Sequence, residues 1–157
     1  MYKLHFSQKL PIDLVQAWDF FSSPENLEKI TPESLGLKIK HHHSGRKMYA
    51  GQIIAYTVKP LWNISMQWIT EITAVQEPAY FIDEQKIGPY AFWHHEHWFT
   101  PIANGILMED ILYYKVPFGL FGKALHYLKI KKDLKIIFQY RREFLEKLFG
   151  HYPNQQN

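Results

Sequence analysis

The chain of 157 residues contains no cysteine. That absence excludes disulfide staples, thiolate nucleophiles and any cysteine-ligated metal. No apolar stretch approaches the ~18 residues of a membrane-spanning helix, so no stable membrane insertion is expected. The opening MYKLHFSQKLP lacks the apolar core of a signal peptide, and a cytoplasmic location is the expectation. Net charge is small, +3 at pH 7, with basic residues gathered around Lys129-Ile-Lys-Lys132. That run reads as the solvated face of a helix. No basic groove is interleaved with aromatic rings, so no nucleic-acid partner is expected. Nothing in the pattern fixes an oligomeric state.

Apolar and ring-bearing residues, by contrast, are plentiful. Hydrophobic residues make up 46% of the chain, which is enough for one domain over residues 1–150 with a sizeable core. The 11 Phe, 10 Tyr and 5 Trp exceed what one modest core needs, and surplus rings line a cavity or cover a surface patch. Nine histidines are present, six of them in the runs His41-His42-His43 and His94-His95-x-His97.

Periodicity gives the order of elements. Tyr2 to Leu10 alternates as a strand. Asp13 is placed to cap a helix over LVQAWDFF, and Ser23-Pro24 to open a second short helix that Pro32 ends. Six strand-like segments follow: Leu35–His41, Gly51–Lys59, Trp62–Val75, Ala79–Ile87, Ala91–Ile102 and Gly105–Val116. Turn residues separate most of them, and such short connections make neighbours antiparallel. Leu120 to Phe149 then repeats apolar residues at helical period, with a bend or break expected near Gly122 and a stop at Gly150. The tail from 151 to 157 is expected to fray. An α+β fold results, in which a seven-stranded antiparallel curved sheet wraps a long C-terminal helix, with two short helices between the first and second strands. A wrap of this kind leaves a space between sheet and helix, where small molecules bind.

Several stretches carry a family resemblance: Pro24-Glu-Asn-Leu-Glu-Lys-Ile-Thr-Pro32, Phe81-x-Asp83-x-Gln85-x-x-Gly88-Pro89, Trp93-x-His95-x-His97-x-Phe99, Asp110-x-x-x-Tyr114-x-x-Pro117 and Phe138-x-x-Arg141. In these the chain resembles the START-like, or SRPBCC, superfamily. It is most similar to the bacterial ligand-binding proteins often labelled cyclase/dehydrase or coenzyme Q-binding-like. The resemblance implies a helix-grip fold and a cavity for lipids, sterols, polyketides, quinones or similar molecules. It guarantees no chemistry, since only some members are enzymes.

Strand parity then selects a wall. Residues i and i+2 share a face, so Trp93, His95, His97 and Phe99 point one way and Phe92, His94, Glu96 and Trp98 the other. A tight turn at Asn104-Gly105 sets His97 opposite Asp110, His95 opposite Leu112, Phe99 opposite Met108 and Trp93 opposite Tyr114. The face holding Met108, Asp110, Leu112 and Tyr114 is the more apolar one and belongs inside. By the same logic Asp83 faces His95 and Gln85 faces Trp93, with Trp68 and Thr70 across from Gln85 and Asp83. The expected ligand-binding wall is a polar stripe of Thr70, Asp83, Gln85, His95, His97 and Asp110. Tyr56, Trp68, Trp93, Met108 and Tyr114 surround it.

Three readings of the stripe stay open. It is a structural network of Asp83–His95 and His97–Asp110 pairs, or a set of ligand-orienting groups, or the centre of an enzyme or metal site. In the enzymatic reading His95, His97 and Asp110 are the catalytic candidates, a His–Asp pair acting as general base in a cofactor-independent cyclase, dehydratase or isomerase. Lateral pairing occupies each histidine with an acid, so no metal and no cofactor are expected. The partner expected is a small apolar or amphipathic ligand. The run His41–His43 reads as an exposed strand end, Trp18 and Trp62 as packing, and Arg141 and Arg142 as a helix pair of which one reaches a carboxylate or caps the sheet edge, a structural salt bridge being favoured.

Overall fold

Residues 2 to 10 alternate as a strand must when only one face is covered. The computed structural model of the protein, which describes residues 1–41, 47–60 and 64–153, forms β1 from Tyr2 to Leu10. α1 (Leu14–Phe21) starts where the Asp13 carboxylate accepts the Gln16 backbone N–H at 2.7 Å. α2 (Pro24–Lys29) has proline in its first turn, but Ser23 does not cap it. The Ser23 hydroxyl instead donates back to the Asp19 carbonyl at 3.1 Å, closing the end of α1. A 3₁₀ turn at Glu33–Leu35 and a left-handed Gly36 (φ 56°) follow. They consume the start of the strand expected from Leu35, and β2 runs only from Lys38 to His41.

The remaining strands are β3 (Gln52–Val58), β4 (Met66–Gln76), β5 (Tyr80–Ile87), β6 (Phe92–Ile102) and β7 (Gly105–Lys115). Their order across the one sheet is β1-β7-β6-β5-β4-β3-β2, with every neighbouring pair antiparallel. Successive hairpins carry the chain from β2 to β7, and β1 closes on β7. The middle strand is therefore β5, and its neighbour β6 holds the histidine stretch.

The C-terminal helix runs from Gly119 to Phe149 in three parts. These are α3 (Gly119–Leu125), a π-helical turn (His126–Ile130) and α4 (Lys131–Phe149). The irregularity lies at the π turn, four residues past the expected position. Gly122 serves the entry to the helix instead. A Cβ there would stand 1.8 Å from the Pro117 carbonyl oxygen, so only glycine permits the tight passage from β7 into the helix. The wider π turn places His126 inward, where its Nε2 lies 2.8 Å from the Tyr114 hydroxyl and its ring stacks on Tyr2 at 3.5 Å. At the other end Arg142 donates to the Ser7 carbonyl at 2.6 Å and Gln8 donates to the Arg142 carbonyl at 3.1 Å, latching α4 to β1.

Two apolar clusters lie between sheet and helices. The larger holds Trp18, Phe81, Phe99, Ile72 and Met108 under α1 and the end of α4. The smaller holds Leu112, Tyr114, Leu134 and Phe138. Burying side chains of this size stabilises by roughly 1.5–3 kcal/mol each, and most of the grip of helix on sheet comes from them. Trp18 is packing, as expected, whereas Trp62 and all of the 41–43 histidine run except the His41 backbone lie outside the described residues. In the tail the Tyr152 hydroxyl donates to the Ala103 carbonyl and its ring lies beneath Lys9, while 154–157 fall outside the description. Among the described residues no helix is long and apolar enough to cross a membrane.

Candidate functional site

The histidine stretch of β6 sits at the seam between the two apolar clusters. Along the strand, Trp93 belongs to the smaller cluster and Phe99 to the larger, with His95 and His97 between them. β7 repeats the pattern, with Tyr114 and Leu112 on one side, Met108 on the other and Asp110 between. The β6–β7 register is the expected one: Trp93 faces Tyr114, His95 faces Leu112, His97 faces Asp110 and Phe99 faces Met108. Asp83 faces His95, also as expected.

Two neighbouring registers differ. The β5–β6 ladder ends at Glu84–His94, so Gln85 does not pair with Trp93. On β4, Thr70 faces Gln85 and Ile72 faces Asp83, two positions from the expected match. The hairpin sets Gln76 against Tyr80, a register three positions from the expected one, and irregularities between Ile69 and Thr70 and between Ile72 and Ala74 bring the Thr70–Ile72 stretch back by one.

The hydrogen bonds do not follow the lateral pairs. His95 Nε2 lies 3.0 Å from Asp110 Oδ1, and His97 Nε2 lies 2.7 Å from Asp83 Oδ2. The second nitrogens also face acids: His97 Nδ1 is 3.0 Å from Asp110 Oδ1, and His95 Nδ1 is 3.5 Å from Asp83 Oδ2. Arg141 of α4 adds Nη1 at 3.0 Å from the same Asp110 oxygen, while its guanidinium lies over the Phe138 ring. Each carboxylate thus bridges both imidazoles, Asp110 from the helix side of β7 and Asp83 from β5. The rings lie 3.9 Å apart, and Phe81 stacks on His97 at 4.1 Å.

Electrostatics fixes the protons. Burial alone would raise the Asp110 carboxyl, but the Arg141 charge and the two histidine bonds outweigh it and hold the group well below 3.8. Asp83 is likewise raised by burial and lowered further by the His97 bond and the charges of His95, His97 and Arg141, ending below 3.8. An ionised carboxylate only accepts, so His95 Nε2 and His97 Nε2 are the donors in their short bonds. Burial pushes His97 down, yet its bonds to Asp110 and Asp83 leave it above 6.5. Burial and the His97 charge hold His95 below 6.5 against the pull of both acids. The two neighbouring imidazoles are thus shifted in opposite directions.

This cluster borders a cavity of about 260 Å³ between the sheet and the C-terminal helix. Tyr56, Trp68, Thr70, Asp83, Trp93, His95 and His97 line it, all of them expected wall residues. Trp68, Trp93 and Tyr90 form an aromatic corner, the two indoles edge to face at 4.9 Å. Burial and the charge of Asp83 push the Tyr56 phenol up, so it stays a donor. Four expected wall residues lie elsewhere. Asp110 and Met108 border a groove between β1, β7 and α4, behind the histidines. Tyr114 bonds His126 below the π turn. The Gln85 amide spans the 88–89 turn, donating to the Tyr90 carbonyl at 2.7 Å and accepting its N–H at 3.2 Å. On the outer face His94 bonds Glu84 at 2.9 Å and Glu96 accepts from the Trp98 indole at 2.9 Å.

Sequence reasoning assigned no cavity role to Phe81, Tyr90, Phe138 or Arg141, which also line it. The signal for two of them was present, since Phe138 and Arg141 stand three apart on a helix and so share a face. Tyr90 follows Gly88-Pro89, where turn chemistry masks the role of its ring.

No family model matches the chain, and no curated protein matches it by sequence. Solved structures do match. TTHA0849 from Thermus thermophilus is similar over 93% of this chain and 95% of its own, with 14% identity and a TM-score of 0.72. A START superfamily protein from Mycobacterium smegmatis covers 94% and 99%, with 14% identity and a TM-score of 0.69. Ara h 8.0201 covers 93% and 98%, with 9% identity and a TM-score of 0.60. At such identities the likeness establishes the fold, which is the START-like helix-grip fold.

Proposed function

We propose that the protein binds one compact, largely apolar molecule bearing a few oxygens in the cavity between sheet and helix. One observation carries the reading: a largely aromatic and aliphatic cavity gathers Asp83, His95, His97 and Arg141 at a single place in its wall. A molecule with an apolar body and a polar end matches that division, the end meeting the imidazoles and the guanidinium while the body meets Trp68, Trp93 and Tyr90. At about 260 Å³ the cavity falls just below the ~300–1,000 Å³ usual for small-molecule sites. A quinone, a polyketide, another aromatic molecule or a single lipid chain fits that size better than a two-chain lipid. The site works in the cytoplasm, with no bound cofactor of its own in this reading.

Native mass spectrometry of protein purified without denaturant tests it, followed by a thermal-shift screen of quinones, aromatic polyketides and fatty acids. A retained molecule, or a hit whose effect is lost in Trp93→Ala, supports the reading. Failure of every class to shift the melting temperature, with no retained mass, overturns it.

A second reading has its own observation. His95 lies beside the Asp110 carboxylate at 3.0 Å, and burial with the His97 charge shifts it below 6.5, the direction that favours the form a general base needs. A cofactor-independent cyclase, dehydratase or isomerase would use it to take a proton from the bound molecule. Product analysis of each hit separates the two readings: unchanged hits support binding alone, and conversion that disappears in His95→Gln supports catalysis.

A further inference from the structure

The geometry points to a site for a single first-row divalent metal ion, held by Asp83, His95 and His97 in the cavity wall. Asp83 Oδ2 lies 2.7 Å from His97 Nε2 and 3.5 Å from His95 Nδ1. One ligand atom from each of the three residues lies within 4.8 Å of the others. Ligands bound at ~2.0–2.2 Å to a common centre stand roughly 3.2–3.5 Å apart, so a small rotation of the Asp83 carboxylate admits the ion.

The groups behind the rings add the stronger support. Metal-bound histidines usually donate their other N–H to a carboxylate, which fixes which nitrogen is left to bind the ion. Here His95 Nε2 and His97 Nδ1 both stand 3.0 Å from Asp110 Oδ1, and Arg141 holds that oxygen from the helix at 3.0 Å. One anchored carboxylate thus turns both remaining nitrogens toward Asp83. Lateral pairing would have occupied each ring with its own acid; bridging leaves one nitrogen of each ring on the Asp83 side. The ion takes the place of the proton between His97 and Asp83 and joins Arg141 in neutralising two carboxylates. Two imidazoles and a carboxylate suit zinc, iron(II) or cobalt(II), with one or two coordination positions left toward the cavity. Asp110 and Arg141 are positioning residues, since neither touches the ion.

The metal site shares its residues with the polar end of the cavity, but no organic ligand is needed to probe it. Tag-free protein with His41, His42 and His43 changed to Ala, which removes a competing chelator, is dialysed against Zn(II) and titrated with Co(II). The expected result is one equivalent per chain, visible Co(II) bands of four- or five-coordinate intensity, and two paramagnetically shifted imidazole N–H resonances from rings bonded to Asp110. Asp83→Asn should lose at least tenfold in affinity, and Asp110→Asn ~10–100-fold. The N–H resonances are read on protein with the site intact, so the test survives a variant that fails to fold. Sub-stoichiometric uptake, or a spectrum like aqueous Co(II) that persists in Asp83→Asn, means an adventitious ion only and overturns the proposal.

A different observation carries a second inference. Phe118, Leu120, Phe121, Tyr127 and Leu128, at the start of the C-terminal helix, are each at least 68% exposed. Lys123, Lys131 and Lys132 stand exposed among and just beyond them, and the acid closest in sequence, Asp133, is paired with Lys129 at 2.7 Å. Bulky apolar residues mixed with unneutralised lysines match an anionic bilayer surface, where rings enter the interface and lysines meet headgroups. We infer that this ridge docks reversibly on anionic membranes. Phe118, Gly122 and Leu125 also line the cavity, so docking brings the cavity to the interface. Sedimentation with phosphatidylglycerol-containing vesicles should pellet the protein, with loss in Leu120→Ser/Phe121→Ser and in high salt. No pelleting, equal pelleting with neutral phosphatidylcholine, or a dimer by light scattering that these changes convert to monomer would overturn it. The dimer result assigns the ridge to a second copy.

Discussion

Asp110 Oδ1 and Arg141 Nη1 lie 3.0 Å apart, joining β7 to the C-terminal helix through two side chains that are almost wholly buried. The same oxygen holds both histidines, so this one contact sets the geometry of the polar cluster and the docking of the helix together.

Asp110→Asn keeps the shape but strands the Arg141 charge. Breaking a buried pair from one side costs ~3–5 kcal/mol, and urea denaturation should show a loss near the lower figure because the amide oxygen still accepts. Asp110→Asn/Arg141→Met, which removes both charges, should be more stable than the single Asp110→Asn variant. If the two changes simply add, the coupling is absent.

Gln85→Ala should behave as a turn variant rather than a ligand-contact variant. It removes both bonds to the Tyr90 backbone, for a loss of about 1–2 kcal/mol at roughly one net hydrogen bond each. Any change in ligand affinity should be reproduced by altering Tyr90 itself. A large affinity change with unaltered stability would count against this.

His126 gives a pH signature. Burial, and then the nearby charge of Lys131, hold it below 6.5, so the unfolded chain takes up its proton first as pH falls. Its contribution to stability is therefore fully present above 6.5 and declines as pH drops through 6.5 toward the folded value. Comparing His126→Gln with the parent in urea between neutral and mildly acid pH isolates this share. The parent should lose more stability than the variant over that window.

Gly122→Ala should be destabilising beyond its size. The added carbon meets a backbone oxygen that cannot swing away, at 1.8 Å, so the start of the helix must move. A loss of at least ~1–3 kcal/mol, the scale of overpacking, is expected in thermal or chemical unfolding. A neutral result would mean that the β7-to-helix passage is not rigid.

Much of the fold was legible because alternation and turn residues are local signals. Tyr2–Leu10 needed nothing beyond its own pattern, and Asn104-Gly105 set the β6–β7 register and with it His95, His97 and Asp110. The β4 register was hidden because neither the pairing of Gln76 with Tyr80 at the hairpin nor the irregularities beside Thr70 and Ile72 leave a mark in a hydrophobic pattern. Gln85 was read by parity alone, which says where a side chain starts but not that it will turn back on Tyr90. The bonding of the cluster was out of reach for a related reason. Cross-strand alignment pairs α-carbons, whereas imidazoles are long enough to reach diagonal neighbours, and Arg141 arrives from an element 31 positions away in sequence.

The aromatic corner gives the protein an optical character of its own. Trp68 and Trp93 stand 4.9 Å apart at 90°, close enough for their electronic transitions to mix. Trp18 is sealed in the larger core, and Trp98 lies on the outer face with its indole bonded to Glu96. A guest that displaces either indole of the corner will therefore alter the near-ultraviolet circular dichroism couplet and quench a defined part of the emission. The wall reports its own occupancy, with no label attached.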